Sequence, residues 1–127
     1  NVQKIKVLLA SRPKLLSEVI RNMIARQPDM EVMGEVLDPI ELLLAVKTTE
    51  AEIVIVTPLD SEEEPRLCRH LLADYPDLKI VTLSRTGEAA TLYESDSRKQ
   101  RIEEPGEESI LRAIRDVVRP SASLKEF

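Results

Sequence analysis

A chain of 127 residues is long enough for one domain with its own core. Its 43% apolar and 32% charged residues suit an ordinary globular protein, and the only aromatics, Tyr75, Tyr93 and Phe127, leave that core to aliphatic side chains. A net charge of −5 argues against an electrostatic grip on nucleic acid, no apolar run nears the ~20 residues that span a bilayer, and the single cysteine, Cys68, has no internal disulfide partner.

Taken in order, Lys4 to Ala10 reads as a strand that starts alternating and ends apolar. The basic Lys4 and Lys6 lead into that strand and not into the apolar core of a signal peptide, so a reducing cytoplasm is the expected location. The first residue is Asn1 and not methionine, as in a trimmed chain. Ser11 is placed to cap a helix and Pro13 to sit in its first turn, with Leu15, Leu16, Val19, Ile20, Met23 and Ile24 as the apolar face. Met30 to Val36 reads as a second strand, where Gly34 suggests a close backbone approach. Asp38-Pro39-Ile40-Glu41 is a helix start, followed by Ile40, Leu43, Leu44 and Lys47 on one face.

Ile53-Val54-Ile55-Val56 is a short β-branched run closed by Thr57-Pro58, the pattern of a strand buried on both faces at the centre of a parallel sheet. In open α/β sheets the working crevice lies beyond the carboxyl ends of the strands, which puts Thr57 at the functional mouth. Ser61-Glu62-Glu63-Glu64 opens a third helix with Leu67, Cys68, Leu71, Leu72 and Tyr75 as its stripe; Cys68 reads as a core residue and His70 as a surface one. Lys79 to Ser84 is a fourth strand. Thr86 to Glu104 has no helical stripe. Thr91-Leu92-Tyr93-Glu94 and Lys99-Gln100-Arg101-Ile102, flanking Ser95-Asp96-Ser97, read as a β-hairpin in preference to a short helix. Glu107 to Arg119 is the last helix, and residues 121–127 are expected to be a tail beyond a domain spanning 1–120. Strands alternating with helices predict an α/β fold with a parallel sheet and helices on both faces.

This order, together with Ile5-Lys6-Val7-Leu8-Leu9-Ala10, Glu31-Val32-Met33-Gly34-Glu35-Val36, Pro76-Asp77-Leu78-Lys79-Ile80-Val81-Thr82-Leu83-Ser84 and Ile110-Leu111-Arg112-Ala113-Ile114-Arg115, resembles the receiver domain of bacterial response regulators. The resemblance implies a doubly wound, five-stranded parallel sheet of the flavodoxin-like kind, its fourth helix degenerate or replaced by the hairpin. It also implies a phosphorylation site whose residues are mostly exchanged here. Ser11 and Arg12 stand where receivers carry metal-binding acids, Thr57 where they carry the phospho-accepting aspartate, and Glu103 or Glu104 where they carry a lysine; Ser84 matches the family's hydroxyl. Without carboxylates a Mg²⁺ cage is not formed, and a threonine lacking an adjacent base is a poor nucleophile.

The reading is therefore a pseudo-receiver, not an enzyme, with no cofactor or metal. It is expected to act through protein partners or a homodimer, with no nucleic acid or membrane contact. Arg12 is expected to pair with Glu103, Glu104 or Asp60. Tyr93, Arg98 and Arg101 mark a candidate interaction segment, against the plain alternative of a solvated hairpin tip. The competing functional reading is a binder of small anions or nucleotides that uses Arg12 in the strand-end crevice.

Overall fold

The computed structural model describes residues 4–10, 14–36, 38–57, 63–84, 89–94, 98–104 and 106–118. They form β1 (Ile5–Ala10), α1 (Lys14–Ala25), β2 (Met30–Glu35), α2 (Pro39–Thr49), β3 (Ile53–Val56), α3 (Glu63–Asp74), β4 (Lys79–Leu83), β5 (Ala90–Glu94), β6 (Arg98–Arg101) and α4 (Glu107–Val118). The strands make one sheet in the order β2-β1-β3-β4-β5-β6.

The continuous apolar run at β3 is explained by its place. It pairs in parallel with β1 on one side and β4 on the other, and all four of its residues are buried. Strand geometry sends alternate side chains to opposite faces, so the run divides between two cores. Ile53 and Ile55 join Ile20, Met23 and Ile24 of α1 and Ile110, Leu111 and Ile114 of α4. Val54 and Val56 join Leu42 and Val46 of α2 and Cys68 and Leu71 of α3. Helices thus cover both faces.

The expected sheet of five parallel strands is corrected to six strands of mixed direction. β5 runs antiparallel to β4, and β6 runs antiparallel to β5. The difference lies in the connection after β4: only residues 84–89 separate Leu83 from Ala90, so the next strand comes straight back and pairs with β4. A direct return can only be antiparallel, since a parallel neighbour needs a crossover of a dozen or more residues. β6 then points the same way as β4 but lies two strands from it.

Two expected apolar faces are also corrected. In α2 the buried residues are Leu42 and Val46, while Ile40 (71% exposed) and Leu44 (61%) face outward. Val19 of α1, expected in the core, is exposed as well. α2 starts as anticipated: Asp38 Oδ1 accepts a hydrogen bond from the Ile40 N–H at 2.9 Å, with Pro39 in the first turn. It ends on Glu50 in the left-handed region, φ 56°, which turns the chain into β3. Gly34 marks a bulge and not a tight approach. Leu8 follows Val7 but pairs with Gly34 where Val7 pairs with Val32, leaving Met33 as the extra residue. A Cβ at Gly34 would meet Leu8 Cδ2 at 3.7 Å, ordinary contact.

α4 is pinned to the opposite end of the sheet by a bidentate pair. Arg115 donates to Asp29 from Nε at 2.8 Å and from a terminal nitrogen at 3.0 Å, and to Gln27 Oε1 at 2.7 Å. The hydrogen bond from Arg115 holds the Asp29 carboxyl below its ordinary value of 3.8, against a smaller opposing effect of burial. A depressed folded value stabilises the fold above the unfolded pKa of ~3.9 and loses that contribution as pH falls through the folded value. The pair is partly exposed, so a double-mutant cycle with Asp29→Asn and Arg115→Gln should give a coupling on the order of 1 kcal/mol at pH 7, fading as the pH falls through the lowered pKa of Asp29. A coupling that stays constant across that range contradicts the assignment.

Candidate functional site

Parallel strands bring their carboxyl ends to one edge. β1 pairs with both β2 and β3, so the chain leaves β1 in one direction and returns on its other side; the crevice of such a sheet opens where the strand order reverses. Thr57 sits there. Its N–H donates to the Ala10 carbonyl at 3.1 Å, tying the end of β3 to the end of β1. Its side chain is 3% exposed, and Oγ1 has no hydrogen-bond partner among the described residues. An orphaned buried hydroxyl is unusual and costs on the order of 1–3 kcal/mol.

Ser84, at the end of β4, does a different job. Its N–H donates to the Ala89 carbonyl at 2.9 Å, and its Oγ accepts from the Ala89 N–H at 3.1 Å. The hydroxyl thereby closes the connection into β5.

Glu103 and Glu104 follow β6 and are exposed. In a sheet with the last strand beside β4, they would stand two strand spacings from β3. Here β5 intervenes and the separation is three spacings, ~14 Å. Glu104 adopts φ 46°, a left-handed conformation rare for a residue with a side chain. Ser109 holds it there: its Oγ donates to the Glu104 carbonyl at 3.0 Å and accepts from the Gly106 N–H at 2.8 Å. The backbone of this loop is committed to starting α4. Ser11, Arg12 and Asp60 lie outside the described residues, and with them the expected Arg12 ion pair.

Tyr93 and Arg101 fall in the hairpin, Tyr93 half-buried against the α2–α3 core and Arg101 exposed. Arg98 opens β6 opposite Glu94. Cys68 is buried and His70 exposed. Among the described residues no group of three or more His, Cys, Asp or Glu is placed to hold a metal. No helix among them is long and apolar enough to cross a membrane.

Sequence reasoning passed over Ser17. It is 3% exposed on α1, and its Oγ, like that of Thr57, has no partner among the described residues. The available signal was a lone hydroxyl three residues before Ile20 and seven before Ile24, on the face that α1 buries. α1 begins beyond the carboxyl end of β1, so both orphan hydroxyls belong to this end of the molecule. A hollow of about 520 Å³ opens at the amino ends of β3 and β4, between Glu50, Glu52, Asp74 and Asp77 and the lysines Lys47 and Lys79. Four carboxylates against two lysines make its lining net negative, which disfavours an anionic ligand.

No family model matches the chain. It is similar to a curated protein-glutamate methylesterase/protein-glutamine glutaminase of group 3 operon from Rhodopseudomonas palustris (strain ATCC BAA-98 / CGA009). The two are 30% identical over 145 residues, which take in 97% of this chain and 39% of that protein. The chain therefore spans about two fifths of the length of that relative. The described residues form a mixed α/β module.

Proposed function

We propose that the chain is a pseudo-receiver: a non-catalytic signalling module that works by protein–protein contact without accepting a phosphoryl group. The observation that carries this is the chemistry at the end of β3. Phosphoryl transfer to protein needs a nucleophile, a divalent cation and a positive charge on the developing oxygens. The strand-end position holds Thr57, whose buried hydroxyl has no described group to take its proton. Ser84 Oγ accepts from Ala89 across the β4–β5 connection, and the acids after β6 stand ~14 Å away laterally. The hairpin supports the same reading, because β5 takes the place beside β4 that a next parallel strand would hold and is paired into the sheet on both sides. A match to 39% of a longer protein fits a module carried within larger chains.

Titration with Mg²⁺ tests the site. The amide resonances of Thr57 and Ser84 should stay unmoved at millimolar metal. Saturable shifts at both would mean that a cation site exists at this edge, and the proposal would fail.

The orphan hydroxyls of Thr57 and Ser17 favour a second reading, a binder of small anions at the strand-end crevice. A thermal-shift screen with nucleotides and inorganic phosphate separates the two: a rise in melting temperature supports the binder, and an unchanged one supports the interaction module.

A further inference from the structure

β6 ends the sheet, and one side of its backbone is paired to β5. The hydrogen-bond pattern tells which groups are left. In an antiparallel pair, residues opposite one another alternate between exchanging both backbone bonds and exchanging none. The Ile102 N–H donates to the Ala90 carbonyl at 2.9 Å, so that position is a bonded one. Stepping by two along the register, Gln100 bonds with Leu92 and Arg98 with Glu94. Lys99 and Arg101 are the intervening residues. Their N–H and C=O groups therefore point away from β5, to the open edge. No described residue pairs with them there.

We propose that this edge takes a further strand from another protein, an extended acidic segment that pairs with the backbone of Lys99 and Arg101. The inference rests on the reading of the chain as an interaction module and names its partner's chemistry. The charge of the edge selects the sign. β6 reads Arg-Lys-Gln-Arg, three cations and no acid in four residues, within a chain of net charge −5. Exposed charges beyond ~8 Å are screened at physiological salt, so an incoming strand responds to the neighbourhood of β6 and not to the total. On β5 Glu94 stands opposite Arg98, and Glu103 and Glu104 follow β6, so the positive stretch that an acidic segment meets is confined to residues 98–101. Arg101 is exposed and has no ion pair among the described residues. Basic residues on an edge strand also oppose unwanted pairing. Two copies of β6 laid side by side would set cation against cation, which disfavours a second copy as the occupant and leaves an acidic strand as the complementary one. Strand addition of this kind draws affinity from main-chain hydrogen bonds and specificity from the flanking side chains.

The probe is a synthetic peptide of alternating glutamate and valine, followed by amide hydrogen exchange of the whole chain. The Lys99 and Arg101 amides should slow roughly tenfold or more on saturation, while Gln100, already bonded to β5, stays as it was. Lys99→Pro removes one outward donor and leaves the β5 ladder intact, since proline is tolerated where the N–H faces solvent. It should weaken the peptide roughly tenfold with little change in melting temperature. The double reversal Lys99→Glu with Arg101→Glu should abolish binding. No protection at Lys99 and Arg101 overturns the inference, as does equal protection by a lysine–valine peptide. Self-association through this edge in sedimentation, lost in Lys99→Pro, would make the occupant a second copy and overturn it too. None of these three results bears on whether the chain takes a phosphoryl group. Edge protection that appears only after acetyl phosphate treatment would uphold the edge and defeat the phosphorylation-free reading instead.

Discussion

Thr57→Asp should destabilise the fold by about 3 kcal/mol or more at neutral pH and regain most of that loss near about pH 3. Aspartate is close to threonine in size, so the cost is electrostatic. The side chain at this position is 3% exposed, beside Ala10 and Val56, which are also buried, and its hydroxyl has no partner among the described residues. A carboxylate there would be desolvated with no described cation to offset it. Burial raises a carboxyl's folded pKa above its unfolded ~3.9, so the penalty is absent below the unfolded value and grows as pH rises. Thr57→Val is the companion. It keeps the shape, removes the orphan hydroxyl and should stabilise by about 1 kcal/mol. Chemical denaturation of both variants across pH is the check. An aspartate variant as stable as the parent at pH 7 would mean that a cation already faces this position.

Ile55→Ala should cost about 3–4 kcal/mol in the same measurement. Ile55 is 0% exposed at the middle of β3, in register with Leu9 of β1 and Val81 of β4, and it packs in the core that α1 and α4 cover. Both neighbouring strands are held by backbone pairing, so they cannot close into the space left by the lost side chain. Domains of this size are stable by about 5–15 kcal/mol, and the variant should remain folded at 25 °C while melting well below the parent. A loss under about 1 kcal/mol would mean that β3 is not the closed centre described above.

The sequence made β3 easy to place and α2 hard to orient, for related reasons. A strand buried on both faces has no face to choose, so Ile53-Val54-Ile55-Val56 could be assigned from composition alone. α2 carries Ile40, Leu42, Leu43, Leu44, Ala45 and Val46, apolar nearly all round. Periodicity does not single out a face in such a helix; the sheet beneath it decides, and it takes Leu42 and Val46. The stripe chosen from spacing, with Ile40 and Leu44, is the one left outside. The hairpin was legible because Ser95-Asp96-Ser97 interrupts two strand-like runs. Its consequence for the sheet was not, since strand partners are set by distant residues. That is why five parallel strands are expected and six of mixed direction are found. The position of Thr57 followed from strand-end logic, whereas the lack of a partner for its hydroxyl depends on what surrounds it in three dimensions. Ser84 shows the converse: its hydroxyl is engaged by Ala89, five residues on, in a contact that no motif announces.

The central claim is that the end of β3 does not accept a phosphoryl group. Incubating the whole chain with acetyl phosphate and Mg²⁺ and weighing it intact is the most direct measurement. The predicted result is a single species at the unmodified mass; a stoichiometric phosphoryl adduct on this chain would contradict the account.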